Sequence, residues 1–209
     1  FLDAVGTCVD GLADSFSALA DAQTTATRRA AAFLLSIAER CLLTAPGHNQ
    51  TSCILDSQHA ALESLHIFNA CEDTQSAAFA ARLVVHALRA QAVATAPALG
   101  RLETRCCSKS LNVAMEFVQE EIARAKLFGD TFAEACMLLS WAELLRERSN
   151  ESLMEAKKIG QEAEALFKSM NEARGAALSA LFLSGLHLRT HEFHLAHRVA
   201  SKAAAVFRE

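Results

Sequence analysis

Three observations in the sequence predict an all-α protein. The 209 residues include 42 alanines but only eight glycines, two prolines and no tyrosine. Alanine and leucine lose little on entering a helix, whereas sheets draw on β-branched and aromatic side chains and frequent turns. Apolar residues also recur at steps of three and four: in 131–148 they are Phe132, Ala135, Cys136, Leu138, Leu139, Ala142 and Leu145. Finally, no segment shows the strict alternation of a half-buried strand bounded by turns.

Nine helices follow in order, at approximately 2–20, 24–43, 53–70, 74–95, 103–128, 131–148, 151–169, 172–190 and 192–208. The first ends at the polar step Ala20-Asp21, and the turns Glu72-Asp73, Gly129-Asp130 and Asn171-Glu172 separate later pairs. Both prolines fall in breaks, Ala45-Pro46-Gly47-His48-Asn49 and Ala96-Pro97-Ala98-Leu99-Gly100. Thr131 with Glu134 and Ser152 with Glu155 have capping-box spacing, which starts a helix near each.

The formal charge of −4 and pI near 6.1 give no bulk attraction for nucleic acid or anionic lipid, so neither is expected as a partner. The longest uninterrupted apolar run, Ala30–Leu35, is far shorter than the roughly 20 residues of a membrane span, and no signal-peptide pattern opens the chain. The first residue is Phe1, which leads us to expect a piece of a longer chain. Seven cysteines without C-x-x-C spacing read as thiols of a reducing compartment, so an intracellular, cytoplasmic location is expected. There the sequons at Asn49 and Asn150 carry no meaning.

Successive helices share endings. Ala163-Glu-Ala-Leu-Phe167 and Ala203-Ala-Ala-Val-Phe207 lie 40 residues apart, and Ala125-Lys-Leu-Phe128 ends 39 residues before Phe167. The helices that follow the turns share Leu34-Leu-Ser36, Leu138-Leu-Ser140 and Phe182-Leu-Ser184. Such a period marks stacked helical hairpins, since one hairpin cannot bury its apolar stripe alone.

On these residues the chain resembles the tetratricopeptide repeat (TPR) family in its longer form of about 40 residues. Leu183-Ser184, Ala196 and Ala203 stand where that family places its Leu-Gly pair and small packing residues. Trp141-Ala142, Ala156 and Ala163 stand there one repeat earlier. The resemblance covers 103–209 better than the divergent 1–102, and it implies one domain over 1–209, an α-solenoid of antiparallel helix-turn-helix repeats. It departs in lacking tyrosine and repeat-ending prolines, with Glu39, Leu88, Leu145 and His187 where the family often has an aromatic.

The resemblance also implies a concave groove lined by the first helix of each pair. Helix 74–95 would present Phe79, Arg82, His86 and Arg89; helix 131–148 Leu139, Glu143, Arg146 and Glu147; helix 172–190 Leu181, Leu188 and Arg189. Helical spacing alone puts Arg82, His86 and Arg89 on one face. This mixture suits a protein or peptide partner, acidic or amphipathic, held in the groove; the plainer reading is a solvated face. Leu139 and Leu181 replace the lysine and asparagine with which chaperone-binding TPR domains hold a C-terminal carboxylate, so that activity is not expected.

No phosphate-binding, dinucleotide-binding or nucleophile-elbow motif occurs, so neither an enzyme nor a cofactor is expected. His187, His191, His194 and His197 have metal-like spacing, but the turn at 190–192 divides them, and histidines capping a helix junction are the plainer reading. Adjacent Cys106 and Cys107 point about 100° apart on a helix, which favours packing over redox chemistry. The expected function is an interaction scaffold, with a regulatory, ligand-sensing helical-repeat domain of a signalling protein as the alternative. The last helix carries Leu195, Val199 and Val206 with no following helix to cover them, so self-association through uncapped ends is expected.

Overall fold

Among the described residues eight helices form: α1 (Leu2–Leu43), α2 (Gln50–Ala70), α3 (Thr74–Thr95), α4 (Thr104–Phe128), α5 (Thr131–Arg148), α6 (Leu153–Ser169), α7 (Ala173–Arg189) and α8 (Phe193–Val206). The structure is a computed structural model that describes the backbone of residues 2–43, 50–95, 104–148 and 151–208, and the side chains of 19–43, 50–94, 110–148 and 151–208. Both proline segments, Asn49, Asn150 and the Cys106 and Cys107 side chains lie outside the described residues. Among those described, every regular element is a helix, so the chain is all-α.

The expected break at Ala20-Asp21 does not occur, and the first two expected helices are one. Residues 20–27 contain neither glycine nor proline. The Thr24, Thr25 and Thr27 hydroxyls donate to the carbonyls of Ala20, Asp21 and Gln23 at 2.8–2.9 Å, so polar side chains that suggested a turn are satisfied within the helix.

Four tight connections share one construction. Glu72, Gly129, Asn171 and His191 each adopt a left-handed backbone, with φ between 54° and 68°. The amide of the next residue (Asp73, Asp130, Glu172 or Glu192) then reaches back five residues, to the carbonyl of Phe68, Ala125, Phe167 or His187. This closes the outgoing helix as a Schellman turn does. At two of these turns the acid also caps the incoming helix: Asp73 Oδ1 accepts the Ser76 amide at 3.1 Å, and Asp130 Oδ1 accepts the Ala133 amide at 2.9 Å. The cap of α5 is therefore Asp130, one residue before the expected Thr131, whose hydroxyl turns to Met170 Sδ at 3.0 Å. Ser152 does begin α6, but its side chain makes no capping bond.

Each helix packs on the next, and α3 also meets α1 and α5, while α5 meets α7. Backbones come close because the contacts are small. Ser57 Oγ donates to Ala38 O at 2.8 Å and Ser64 Oγ to Ala31 O at 3.0 Å, which fixes α1 and α2 antiparallel. Arg28 Nη2 reaches Cys71 O at 2.9 Å, so the part of α1 before it extends past the end of α2. Between α6 and α7, Gly160 sits on Phe182, and Gly175 sits on Phe167 so closely that an added Cβ would lie 2.3 Å from the ring. This pair too is antiparallel. Ser184 Oγ donates to Ala196 O at 2.9 Å and ties α7 to α8. Ala142, Ala156, Ala163, Ala196 and Ala203 are all buried, as are Leu183 and Ser184.

Among the described residues one stretch, Thr74–Ala94, is long and apolar enough to cross a membrane, although polar residues interrupt its apolar runs. Its apolarity comes mainly from alanine and valine around Arg82, His86 and Arg89, and half of its most apolar window is buried against the rest of the protein.

Candidate interaction site

The helices α1, α3, α5 and α7, each in contact with the next of the four, carry the residues expected to line a groove. Arg82, His86 and Arg89 share one face of α3, as spacing required. That face meets α5. Arg82 Nη2 lies 2.9 Å from Glu143 Oε1, Arg89 Nη1 3.2 Å from Glu143 Oε2, and Arg89 Nε 3.2 Å from Glu147 Oε1. Arg146 extends the chain to Glu147 at 3.9 Å and lays its guanidinium 5.3 Å from the Phe182 ring centroid. Arg189 Nη1 donates to the Arg146 carbonyl at 2.9 Å, linking α7 to α5. The basic stripe is therefore matched by acids of this same chain.

Burial sets the charge states. His86 is pushed down to about 4, chiefly by desolvation of its charged form; Glu143 pulls it up, and Arg82 and Arg89 push it down again. It is neutral at pH 7, so its 3.9 Å approach to Glu143 is no ion pair there. The Glu147 carboxyl is raised by burial, against the pull of Arg89 and Arg146. Cys136, buried beneath this network, is pushed up to about 12 by burial and is an unreactive thiol.

A neutral His86 in the fold gives a pH dependence with a definite sign. The unfolded chain binds a proton near pH 6.5, the folded chain only near pH 4, so stability is lost as pH falls through that window. About a quarter of the side chain (27%) stays exposed, which reduces the full linkage value to about 2 kcal/mol. Raised carboxyls such as Glu147 act with the opposite sign. Urea unfolding at pH 7, 5.5 and 4 is expected to show a smaller loss in His86→Leu than in wild type; equal losses would refute the assignment.

Two clefts open along α3 beside the network. One, of about 650 Å³, is walled by Leu35, Phe79, Phe132, Leu178 and Phe207, with Glu39, Glu172 and Arg174 among its polar groups. The other, of about 640 Å³, is walled by Leu42, Leu43, Ile54, Ala90 and Val93. They share Glu39, Leu83 and His86, so the depression follows α3 from Phe79 to Val93, about 21 Å at 1.5 Å per residue. Phe79 stands edge-on to Phe132, with centroids 5.5 Å apart, and Phe132 to Phe167 at 5.9 Å. Phe79, Leu178 and Leu181 keep 40–45% of their surface exposed.

Of the residues expected to line a groove, Phe79, Arg82, His86, Arg89 and Glu147 line the two clefts. Leu139 does not; it is fully buried. Its helix, α5, packs against α3, α4, α6 and α7, which cover it at Leu139, whereas Phe132 and Cys136 before that residue line one cleft and Glu147 after it lines the other. Sequence reasoning missed Leu178, although it lies one turn before Leu181 on the same face of α7. It also missed Arg174, one turn before Leu178 on α7, and Glu39, Glu172 and Phe207, which reach the cleft from outside that helix and share no local pattern with it.

The C-terminal histidines divide as the turn between them requires. His187 Nδ1 bonds Glu192 Oε2, and Lys157 approaches the same carboxylate at 3.6 Å, clasping α6, α7 and the start of α8. The His187 bond is the main reason the Glu192 carboxyl lies below its usual range. His191 occupies the left-handed turn position and packs edge-on to Phe193 at 5.8 Å. Among the described residues no three metal-ligating side chains converge. No family model and no curated protein matches the chain.

Proposed function

We propose that the chain is a TPR-like helical-repeat scaffold that holds an amphipathic helix, or an extended peptide with spaced apolar anchors, along α3 in the groove edged by α1, α5 and α7. The observation that carries this reading is the 21 Å depression, about four helical turns long, on whose apolar wall Phe79 and Leu178 are left exposed, with Leu181 exposed one turn beyond Leu178. The 39–40-residue recurrence, the buried alanines at the family's small positions and the contacts among α1, α3, α5 and α7 support a repeat stack.

The ion-pair network narrows the partner. Arg82 and Arg89 are satisfied by Glu143 and Glu147, so an acidic partner would have to displace carboxylates already in place. Apolar anchors cost no such exchange. Recognition therefore rests on apolar burial, with Glu39, Glu172 and Arg174 setting orientation at the rim.

Selection of displayed helical peptides against the folded protein tests this. Peptides that bind wild type are expected to lose at least tenfold in affinity for Leu178→Lys/Leu181→Lys, a pair exposed enough to leave the fold intact by circular dichroism. Unchanged binding to that variant would move the site off this face. Arg174→Glu should alter affinity less and in a salt-dependent way.

A further inference from the structure

Cys41 on α1 and Cys53 on α2 are both partly exposed, and neither is disulfide-bonded. The helices around them are in fixed register. Ser57 reaches Ala38, and Ser64 reaches Ala31, so seven residues forward on α2 match seven back on α1. One turn in the opposite direction leads from Ser57 to Cys53, which this register sets opposite Leu42, and Cys41 is the residue next to Leu42. The two cysteines thus lie on the facing sides of the hairpin, one turn beyond a point of backbone contact.

The closeness is also suitable. A serine hydroxyl is one bond from its Cβ, so a 2.8 Å reach from Ser57 to a carbonyl of the other helix brings the two backbones nearly into touch. Ala31, Ala38, Ala60 and Ala61 are buried along the same seam and keep the axes close. A disulfide needs Cβ atoms about 4 Å apart, a separation that helices in such contact offer and helices spaced by large side chains do not. The Cys53 thiol lies near enough to act electrostatically on Cys41, whose thiol is raised first by partial burial and then by Cys53 and Asp56.

We propose that Cys41 and Cys53 form a redox-active dithiol that reacts with a small-molecule disulfide such as glutathione disulfide to staple α1 to α2. One cysteine thiolate attacks a sulfur of the reagent and displaces one glutathione thiolate, leaving a mixed disulfide. The second cysteine thiolate attacks the protein-side sulfur of that bond and displaces the other. Two protein thiols are oxidised to one disulfide, the reagent is reduced to two thiols, and these take up the two protons. The bond closes a loop across the eleven intervening residues and lies beside the cleft formed by Leu42, Leu43 and Ile54, so the oxidised hairpin holds one wall of the groove in place.

The test uses the whole chain, reduced, then exposed to glutathione disulfide at pH 8, alkylated and mapped by mass spectrometry. The expected product is a peptide pair linked through Cys41 and Cys53, with Tm raised by about 5 °C over the reduced protein. In Cys41→Ser the link is expected to vanish, and glutathione to remain on Cys53. Separate glutathione adducts on both residues of the wild type, or a different preferred cysteine partner for Cys53, would overturn the proposal. A link that leaves Tm unchanged would overturn its role as a staple.

Discussion

Glu143→Ala is expected to destabilise the protein by about 3 kcal/mol, among the largest effects of any single polar substitution in the chain. Glu143 is the only carboxylate among the described residues that binds both Arg82 and Arg89, and its side chain is only 13% exposed. Removing it leaves Arg82, 14% exposed, without its ion-pair partner in a place where water replaces the carboxylate poorly. The loss is expected to fall when Arg82 is also changed, because the uncompensated charge then disappears. A double-mutant cycle of Glu143→Ala with Arg82→Ala by urea unfolding should give a coupling of about 2 kcal/mol; additivity would show that the network adds nothing to the α3–α5 contact.

Phe167→Ala is expected to cost about 3–5 kcal/mol. This ring is 2% exposed, stands edge-on to Phe132, and fills the space above Gly175 where α6 and α7 meet. The same fit makes Gly175 sensitive in the other direction. An alanine there gains about 1 kcal/mol of helix propensity, yet its Cβ meets a ring that has no room to retreat, so Gly175→Ala is expected to destabilise by about 1–2 kcal/mol. In a Phe167→Leu background the cost should shrink or reverse. Thermal unfolding of the four proteins reads this directly; a Gly175→Ala penalty unchanged by the smaller neighbour would remove the steric explanation.

Both effects depend on pairs that no local pattern joins. Arg82 and Glu143 are 61 residues apart, and each taken alone reads as a polar residue on a wetted helix face. Their burial follows from the α3–α5 contact, which brings the two faces together and desolvates His86 between them. The basic trio was legible as a single stripe, but whether it faced a partner or this chain's own acids was not. Likewise Leu139 and Glu143 share a helix face, yet Leu139 is core while Glu143, one turn on, pairs with Arg82 and Arg89 of α3.

Local sequence was enough for the helical class, the limits of α3 and α5 to the residue, and the positions of all four tight turns, though not their left-handed backbone. These depend on interactions within about five residues: apolar steps of three and four, and an acid placed just after the turn. Local reading went astray at the caps of α5 and α6 and at the step at Asp21, where threonine hydroxyls bonded within the helix keep α1 unbroken. Tertiary structure alone decided which charges meet, which leucines remain exposed and where two glycines must stay small. The reason is physical: burial and ion pairing belong to the space between helices, which exists only after distant segments have packed.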